Sequence, residues 1–352
     1  AAPILADAVP SGAVAVTTGV VGGVPVAEGA DAFIVKPKKD EPAVWRSAPI
    51  EGFYSALAAA DLDGDGKKEL FITSSTGLMV ARSGPSGLEV AKEFDSATGY
   101  ANLSVDAVDS DGDGALEVYL SRVYNNRASS VVIEYKNGAY EQTIKGVGWV
   151  TRAVAALDGA TVLVGQRFSM PDGFTGPVVA LKKDGGEVVE KGVFENDLPD
   201  GVDLYRFDLF DLAGDGSPEL VAIDKRNYLQ VFKKGEKGGW NQEWKSTEFY
   251  GGTLHLVALS QPTPVNGAEK SIPVEGRFFH ADTDGDGAQE LIIKRNVPGG
   301  LGRWAESPSS FTSAEVYSLS WDSGALTMLK ENWKTQKVEG YMADFIMDDL
   351  DN

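Results

Sequence analysis

Short apolar segments separated by polar, glycine-rich turns run along most of the chain. In the first clear group, their length and composition predict four β-strands, at residues 53–61, 69–74, 78–82 and 88–94. Similar groups begin near residues 101, 150, 203 and 253–276. Residues 341–348 repeat the first strand of a group by itself. Because helical periodicity is nearly absent, the pattern predicts an all-β fold.

An acidic loop separates the first two predicted strands of most groups. Its pattern is Asp-x-Asp-Gly-Asp-Gly-x-x-Glu, with complete copies at 61–69, 109–117 and 282–290. A weaker copy at 211–219 has Ala213 at its third position, and the group near residue 150 has only the turn Asp158-Gly159. A further copy begins at Asp349, where the sequence ends.

The spacing of these groups predicts a repeat architecture. A period of roughly 50–70 residues with four short strands per unit is typical of a β-propeller. We therefore expect about six, alternatively seven, four-stranded blades, with the acidic loops between the first and second strands of most blades. Residues 1–30 are expected to be a flexible or strand-donating segment and 31–352 the propeller. Pairing of N-terminal strands with 341–348 would close the ring and remove open sheet edges.

The composition of the loops suits a hard cation bound by oxygen atoms. Carboxylates at positions 1, 3, 5 and 9 and a backbone carbonyl at position 7 supply the ligands. Calcium takes about six to eight such oxygens and tolerates irregular geometry, whereas magnesium requires a stricter octahedron. We predict about three to four calcium ions, and a weak, water-completed or empty site at the loop with Ala213. The predicted ligands are Asp61, Asp63, Asp65, Lys67 and Glu69; Asp109, Asp111, Asp113, Ala115 and Glu117; Asp211, Asp215, Ser217 and Glu219; and Asp282, Asp284, Asp286, Ala288 and Glu290.

An EF-hand is the obvious alternative for such a loop. That motif needs a glutamate at position 12 and helices on both sides. Position 12 is apolar in every copy, and the four residues are Ile72, Leu120, Ala222 and Ile293. Apolar residues at this point belong to a strand that faces a core, so the spacing excludes the EF-hand.

The recurring loop resembles the FG-GAP/VCBS repeat family, which includes the calcium-loop repeats of the integrin α-subunit propeller and of many bacterial surface proteins. The matching residues are the Asp and Glu ligands named above, and the resemblance covers about residues 50–352. It implies a propeller with calcium between the first two strands of a blade, in a protein that is extracellular, on the cell surface or periplasmic. It does not imply one activity, because the fold hosts receptors, adhesins and lyases.

Charge and composition narrow the range of partners. The formal net charge is −20, which argues against nucleic acid because binding it needs Lys and Arg to neutralise phosphates. The chain has no cysteine, so disulfides and zinc–thiolate sites are excluded. No apolar run reaches the roughly 18 residues that span a bilayer. The start at Ala1-Ala2-Pro3, without a signal sequence, fits a mature exported protein or a fragment.

The sequence contains no recognisable catalytic motif. His255 and His280 lie in apolar surroundings, and a structural or surface role is expected for both. Additional acids near the loops could form an acid/base pair, but they occur at repeat-related places that favour structural roles; these are Asp106, Asp208, Asp344 and Asp348. We therefore predict a calcium-stabilised module that binds or scaffolds a protein or glycan partner. The alternatives are a polysaccharide lyase-like enzyme and a structural subunit of a cell-surface assembly.

Overall fold

The computed structural model describes residues 14–18, 48–84, 87–259, 271–300, 308–324 and 328–348. Within these ranges the secondary structure is β-strand, apart from the 3-10 helix Phe194–Asn196. The prediction of an all-β fold is therefore confirmed. The strands are β1 (Val14–Thr18), β2 (Tyr54–Ala60), β3 (Glu69–Ser74), β4 (Gly77–Gly84), β5 (Gly87–Asp95), β6 (Tyr100–Val108), β7 (Glu117–Tyr124), β8 (Arg127–Ala128), β9 (Ser130–Lys136), β10 (Ala139–Val147), β11 (Val150–Ala155), β12 (Thr161–Ser169), β13 (Gly173–Asp184), β14 (Glu187–Val193), β15 (Phe207–Phe210), β16 (Glu219–Ile223), β17 (Tyr228–Lys234), β18 (Trp240–Phe249), β19 (Leu256–Ala258), β20 (Ser271–Pro273), β21 (Phe279–Ala281), β22 (Glu290–Pro298), β23 (Phe311–Trp321), β24 (Leu329–Lys334), β25 (Val338–Glu339) and β26 (Tyr341–Ile346).

The strands form antiparallel groups of four that follow the chain. The sheets β2-β3-β4-β5, β15-β16-β17-β18 and β21-β22-β23-β24 each run in sequence order, and β25 adds to β23. The groups β6-β7-β9-β10 and β11-β12-β13-β14 are joined into one sheet where the short strand β8 pairs with β12. Each group thus matches one of the repeat units that the hydrophobic pattern predicts.

The first strands of successive groups lie side by side. β2 contacts β6, β6 contacts β11, and β11 contacts β15. Small residues allow this close approach in β2, where Ala56, Ala58 and Ala60 are buried. Larger residues of the second and third strands, such as Phe71 and Val80, complete the core between neighbouring sheets. The first strands are therefore the innermost layer of the molecule.

The last described strand links the two ends of the chain. β26 pairs antiparallel with β1, with Val14 opposite Ile346 and Thr18 opposite Tyr341. β26 also contacts β2, and its residues 341–346 are all buried. The short apolar segments 24–27, 32–36 and 43–47 predict further N-terminal strands, and they lie outside the described residues.

Two details differ from the simple repeat. The fourth unit is expected to open with a strand at 204–211, but β15 begins only at Phe207 because residues 203–206 form a turn closed by Arg206 N–H donating to Asp203 O at 3.1 Å. Ahead of the last complete unit, the longer stretch over 253–259 and 262–276 predicts an extra hairpin or insertion. There β19 and β20 form a separate antiparallel pair. None of the described residues forms a helix long and apolar enough to cross a membrane.

Candidate metal loops and an adjoining cavity

The acidic loops share one pattern of hydrogen bonds, which organises them before any ion is considered. The carboxylate of the first Asp accepts backbone N–H groups from across the turn. In the first loop Asp61 accepts from Gly64 at 2.8 Å and from Gly66 at 2.9 Å, and in the last loop Asp282 accepts from Gly285 at 2.7 Å and from Gly287 at 3.0 Å. The final Glu accepts from the amide of position 2, and Asp at position 5 accepts from the amide of position 7 in all four copies.

The glycines at positions 4 and 6 are required by the backbone. Gly64 and Gly66 have φ values of 73° and 85°, and the other copies repeat this pair of positive values. A Cβ at Gly64 or Gly66 would meet no atom within 4 Å, so space alone does not select glycine. The left-handed backbone does, because it is strained for residues with a side chain.

Three of the four loops bring carboxylate oxygens close enough for one cation. The selected oxygens of each group lie within 4.8 Å of one another, which is about twice a typical Ca–O distance of roughly 2.4 Å. The donor set is therefore compatible with calcium in size and chemistry. The groups are Asp61, Asp63 and Glu69; Asp109, Asp111, Asp113 and Glu117; and Asp282, Asp284, Asp286 and Glu290.

The loop at 211–219 behaves differently. Its backbone still donates hydrogen bonds to Asp211 and Glu219. The alanine at position 3 is therefore compatible with the folded loop. Among the described residues the loop does not form a group of three carboxylates within ligand distance of one another. Loss of one carboxylate therefore removes part of the donor set without removing the loop.

The glutamate at position 9 is buried in every loop, and its exposed fraction is 0–1%. In the first loop Arg82 Nε lies 3.0 Å from Glu69 Oε1, and the same guanidinium contacts Asp63. Burial raises the pKa of Glu69, and the hydrogen bonds from Leu62 and Arg82 oppose that effect. A buried carboxylate needs such partners to remain charged.

In the next two loops, a lysine makes the ion pair with the buried glutamate that Arg82 makes in the first loop. Lys183 Nζ lies 2.7 Å from Asp111, 2.9 Å from Glu117 and 3.1 Å from Glu134. Burial opposes its charge, but the hydrogen bonds to these carboxylates outweigh that cost and raise the pKa of Lys183. Lys233 Nζ lies 3.1 Å from Asp215 and 3.0 Å from Glu219, and the hydrogen bond to Glu219 is the main cause of its raised pKa.

The last loop has no such cation in the described part of the chain. Glu290 accepts instead from the amide of Thr283 at 2.7 Å and from its hydroxyl at 2.7 Å. Trp333 Nε1 donates to the same hydroxyl at 3.0 Å. Glu290 is 1% exposed, so this carboxylate is buried, and its hydrogen-bond partners among the described residues are neutral.

A cavity of about 370 Å³ opens beside the two C-terminal loops. Its wall is formed by the loops 211–219 and 282–290 and by the turn at Asp158-Gly159, where the third unit has no acidic loop. Its remaining wall includes Phe210 and His280. The missing loop therefore leaves room where the repeat would place another acidic turn.

One side of this cavity carries a histidine–carboxylate pair. His280 Nδ1 lies 3.0 Å from Asp208 Oδ2, and the imidazole stacks on Phe210 with a centroid separation of 4.7 Å. The second ring nitrogen, Nε2, has no hydrogen-bond partner among the residues that the structure describes. The sequence predicts separate structural or surface roles for His280 and Asp208. Their contact has no local sequence signal, because it joins strands of neighbouring units.

The other acids considered from the sequence belong to the centre of the molecule or to an ion pair beside the first loop. Asp106 and Asp344 lie 3.3 and 3.4 Å from different nitrogens of Arg277. Burial raises the pKa of Asp106, and Arg277 opposes it. Asp348 pairs with Lys68 of the first loop. These contacts hold neighbouring units together.

Comparison with known proteins identifies a repeat in the first units. Residues 52–120 match the family model described as an FG-GAP-like repeat. This stretch includes the first two acidic loops. No curated protein matches the chain.

Solved structures provide distant neighbours. BBS1N from a complex with ARL6DN is 13% identical, with 80% of this chain and 81% of that chain covered and a TM-score of 0.40. An Agrocybe aegerita lectin that recognises non-reducing terminal N-acetylglucosamine is 15% identical, with coverages of 78% and 65% and a TM-score of 0.35. The exotype rhamnogalacturonan lyase YesX is 15% identical, with coverages of 81% and 65% and a TM-score of 0.38. At these values the neighbours set neither the ligand nor the activity of this chain.

Proposed function

Because residues 52–120 carry an FG-GAP-like repeat, we propose that this protein is a calcium-stabilised β-propeller that binds a protein or glycan partner outside the cytoplasm. The observation that carries the proposal is the recurrence of one acidic loop before the second strand of four sheets. Three of the copies place carboxylate oxygens within the span of a single ion. Bound calcium would neutralise their mutual repulsion and tie the first two strands of a unit together.

The propeller would consist of about six units. The structure contains five four-stranded groups and the pair β26–β1. In the proposed ring each group would be one blade, and β26–β1 would belong to the sixth and close the ring. A seven-unit ring would need further strands from the N-terminal segment. Val16→Pro should lower the melting temperature because proline disrupts a strand ladder, whereas Val16→Ala should change it little; equal melting temperatures would argue against this closure.

The cavity beside the C-terminal loops is the proposed partner site. Its volume lies within the range of small-ligand pockets, and its wall offers carboxylates, His280 and Gln289 to a polar ligand. Hydroxyl groups of a glycan or a polar protein side chain would suit such a wall. Because the loop 282–290, one of the three candidate metal loops, forms part of the wall, partner binding should depend on calcium.

Two matched tryptophan substitutions test the partner site. Ala288 lines the cavity and Ala115 occupies the same seventh position of another loop. Both would give calcium only a backbone carbonyl, so a larger side chain at either keeps the ligand set. On a glycan array and in a pull-down from cell-envelope extract, Ala288→Trp should lose the partner that the wild type and Ala115→Trp retain. Equal retention by both variants would remove the cavity from the proposal.

An enzyme built on the same site is the second candidate. The pair His280–Asp208 favours it, because a carboxylate that holds one imidazole nitrogen leaves the other for proton transfer. A polysaccharide lyase-like activity would be assayed as unsaturated products from acidic polysaccharides. Loss of products in His280→Ala would support this candidate, and absence of products from the wild type would exclude it for the polysaccharides assayed.

A calcium-dependent fold favours a location where calcium is plentiful. We therefore extend the proposal to an extracellular, cell-surface or periplasmic site, in line with the resemblance to surface repeats. A role as a subunit of a surface assembly is compatible with the same location. Fractionation of cells followed by immunodetection tests it, and recovery in the cytoplasmic fraction alone would contradict it.

A further inference from the structure

The residue opposite the buried Glu on the neighbouring strand determines whether a unit supplies a positive charge to its own acidic loop. The buried Glu at position 9 begins the second strand of its unit, and a residue of the third strand lies opposite it. The pairings Leu70–Ala81, Val118–Ile133, Leu220–Phe232 and Leu291–Leu319 set this register. The residue that follows on the third strand therefore faces the Glu in each unit, and it is Arg82, Glu134, Lys233 and Ser320 in turn.

The charge of this residue agrees with the ion pairs that the buried Glu makes in each unit. Arg82 and Lys233 bind the Glu of their own loops directly. Glu134 cannot, and Lys183 from β13 of the next unit reaches in to contact Glu134 and Glu117 together. Ser320 carries no charge, and the hydrogen-bond partners of Glu290 among the described residues are the amide and hydroxyl of Thr283.

We propose that these basic side chains act as built-in counterions that weaken calcium binding at three loops, and that the loop 282–290 is the tightest calcium site because Ser320 leaves it without one. This inference rests on the proposed function, since it ranks the metal loops of that proposal. It concerns Arg82, Lys183, Lys233 and Ser320 and does not add a new loop.

The physical reason is competition for the same carboxylates. Arg82 contacts Asp63 and Glu69, and Lys183 contacts Asp111 and Glu117. These residues are positions 3 and 9 of the predicted ligand sets. An ion that enters must repel or displace a positive charge already in contact with its ligands. At 282–290 the full set of four carboxylates has no counterion from the described residues, so a divalent ion gains the whole attraction.

The loop 282–290 can be observed separately by terbium luminescence. Trp333 donates to Thr283, which donates to Glu290, so its indole lies close enough to transfer energy to Tb³⁺ bound there. In the first loop Tyr140 Oη lies 3.4 Å from Asp63 Oδ2, and its phenol can sensitise that site in the same way. The signal lost in Trp333→Phe belongs to the last loop and the signal lost in Tyr140→Phe to the first. This subtraction is needed because Tyr119 Oη, 3.4 Å from Glu117 Oε2, gives the second loop a tyrosine signal of its own.

The decisive experiment titrates Tb³⁺ into the full chain and then displaces it with Ca²⁺. In the wild type the tryptophan-sensitised site should fill first. Ser320→Lys should weaken that site about tenfold or more, because it places an ammonium opposite Glu290, while Ser320→Ala should leave it unchanged. Arg82→Gln keeps a hydrogen-bond donor near Glu69 but removes the charge, so it should tighten the tyrosine-sensitised site by a similar factor.

The outcomes separate this inference from the calcium proposal. If the wild type binds neither Tb³⁺ nor Ca²⁺, the proposed function fails. If it binds both but fills the two sites together, or Ser320→Lys binds as tightly as Ser320→Ala, the inference alone is overturned. Circular dichroism in chelator confirms that each variant folds. Should Ser320→Lys not fold, an unchanged affinity of the first loop in Arg82→Gln still overturns the inference.

Discussion

At the scale of single residues, the first and third positions of a loop have different roles. The first Asp both shapes the turn and offers a metal ligand, whereas the Asp at position 3 mainly offers a ligand. Asp282 accepts the amides of Gly285 and Gly287, and so it shapes the turn without an ion. Among the described residues, Asp284 accepts only the amide of Asp286, at 3.2 Å. Both belong to the carboxylate group that could hold calcium. Substitution of the two residues should therefore have different consequences when calcium is removed.

Asp282→Ala should destabilise the protein in both calcium and chelator, because the turn loses two charge-assisted hydrogen bonds. The expected loss is about 1–3 kcal/mol in chelator. Asp284→Ala should cost much less in chelator and show most of its effect in calcium. Chemical denaturation with and without chelator measures both. Equal losses for the two variants in chelator would contradict this division of roles.

At the scale of an element, the loop 211–219 tests how much one ligand matters. Its strand pairing continues normally, with Phe210 opposite Glu219, so the local fold does not depend on the residue at position 3. Lys233 already binds Asp215 and Glu219. In this loop the backbone hydrogen bonds and strand pairing are therefore kept, while the set of carboxylate ligands is incomplete.

Ala213→Asp should restore the missing carboxylate and raise the calcium stoichiometry by about one ion. Ala213→Ser adds a polar group of small size without charge and serves as the control. Isothermal titration calorimetry measures both. An unchanged stoichiometry in Ala213→Asp would mean that Lys233, and not the missing ligand, prevents binding.

The starts of four strands can be predicted from the loop sequences, whereas contacts between different units cannot. The acidic loops fix the start of β3, β7, β16 and β22, because the Glu that ends each loop also opens the strand. The contacts of Lys183 with Glu117 and of His280 with Asp208 could not be derived in this way. Each joins residues from different units, and their proximity depends on how whole sheets pack and not on local spacing.

At the scale of the whole molecule, the first strands surround buried charged groups. A second cavity of about 20 Å³ lies among them, lined by Asp106, Arg277, Asp344 and His255. Ser55 also lines this cavity, and Ser55 Oγ and Asp344 Oδ1 have no hydrogen-bond partner among the described residues. The volume is sufficient for one water molecule.

The central position of His255 predicts a pH dependence of stability. Burial lowers its pKa from 6.5 to about 4, and the nearby charge of Lys294 adds to that effect. The unfolded chain therefore binds a proton more readily than the folded one. This contribution to stability is complete above pH 6.5 and is lost as pH falls towards 4.

His255→Gln should remove this part of the pH dependence. The wild type should lose on the order of 1–3 kcal/mol more than the variant between the two pH limits. Urea denaturation in a fixed excess of calcium measures the difference. The comparison with the wild type cancels the titration of the loop carboxylates, and parallel curves for both proteins would contradict the buried neutral state of His255.

Thermal unfolding in calcium and in chelator tests the central claim most directly. If calcium ties the strands of several units together, excess chelator should lower the melting temperature by on the order of 10 °C. Added Ca²⁺ should restore it, and an equal concentration of Mg²⁺ should do so much less because its octahedral preference fits the loops poorly. Identical melting curves in calcium and in chelator would contradict the account of these loops as calcium clamps.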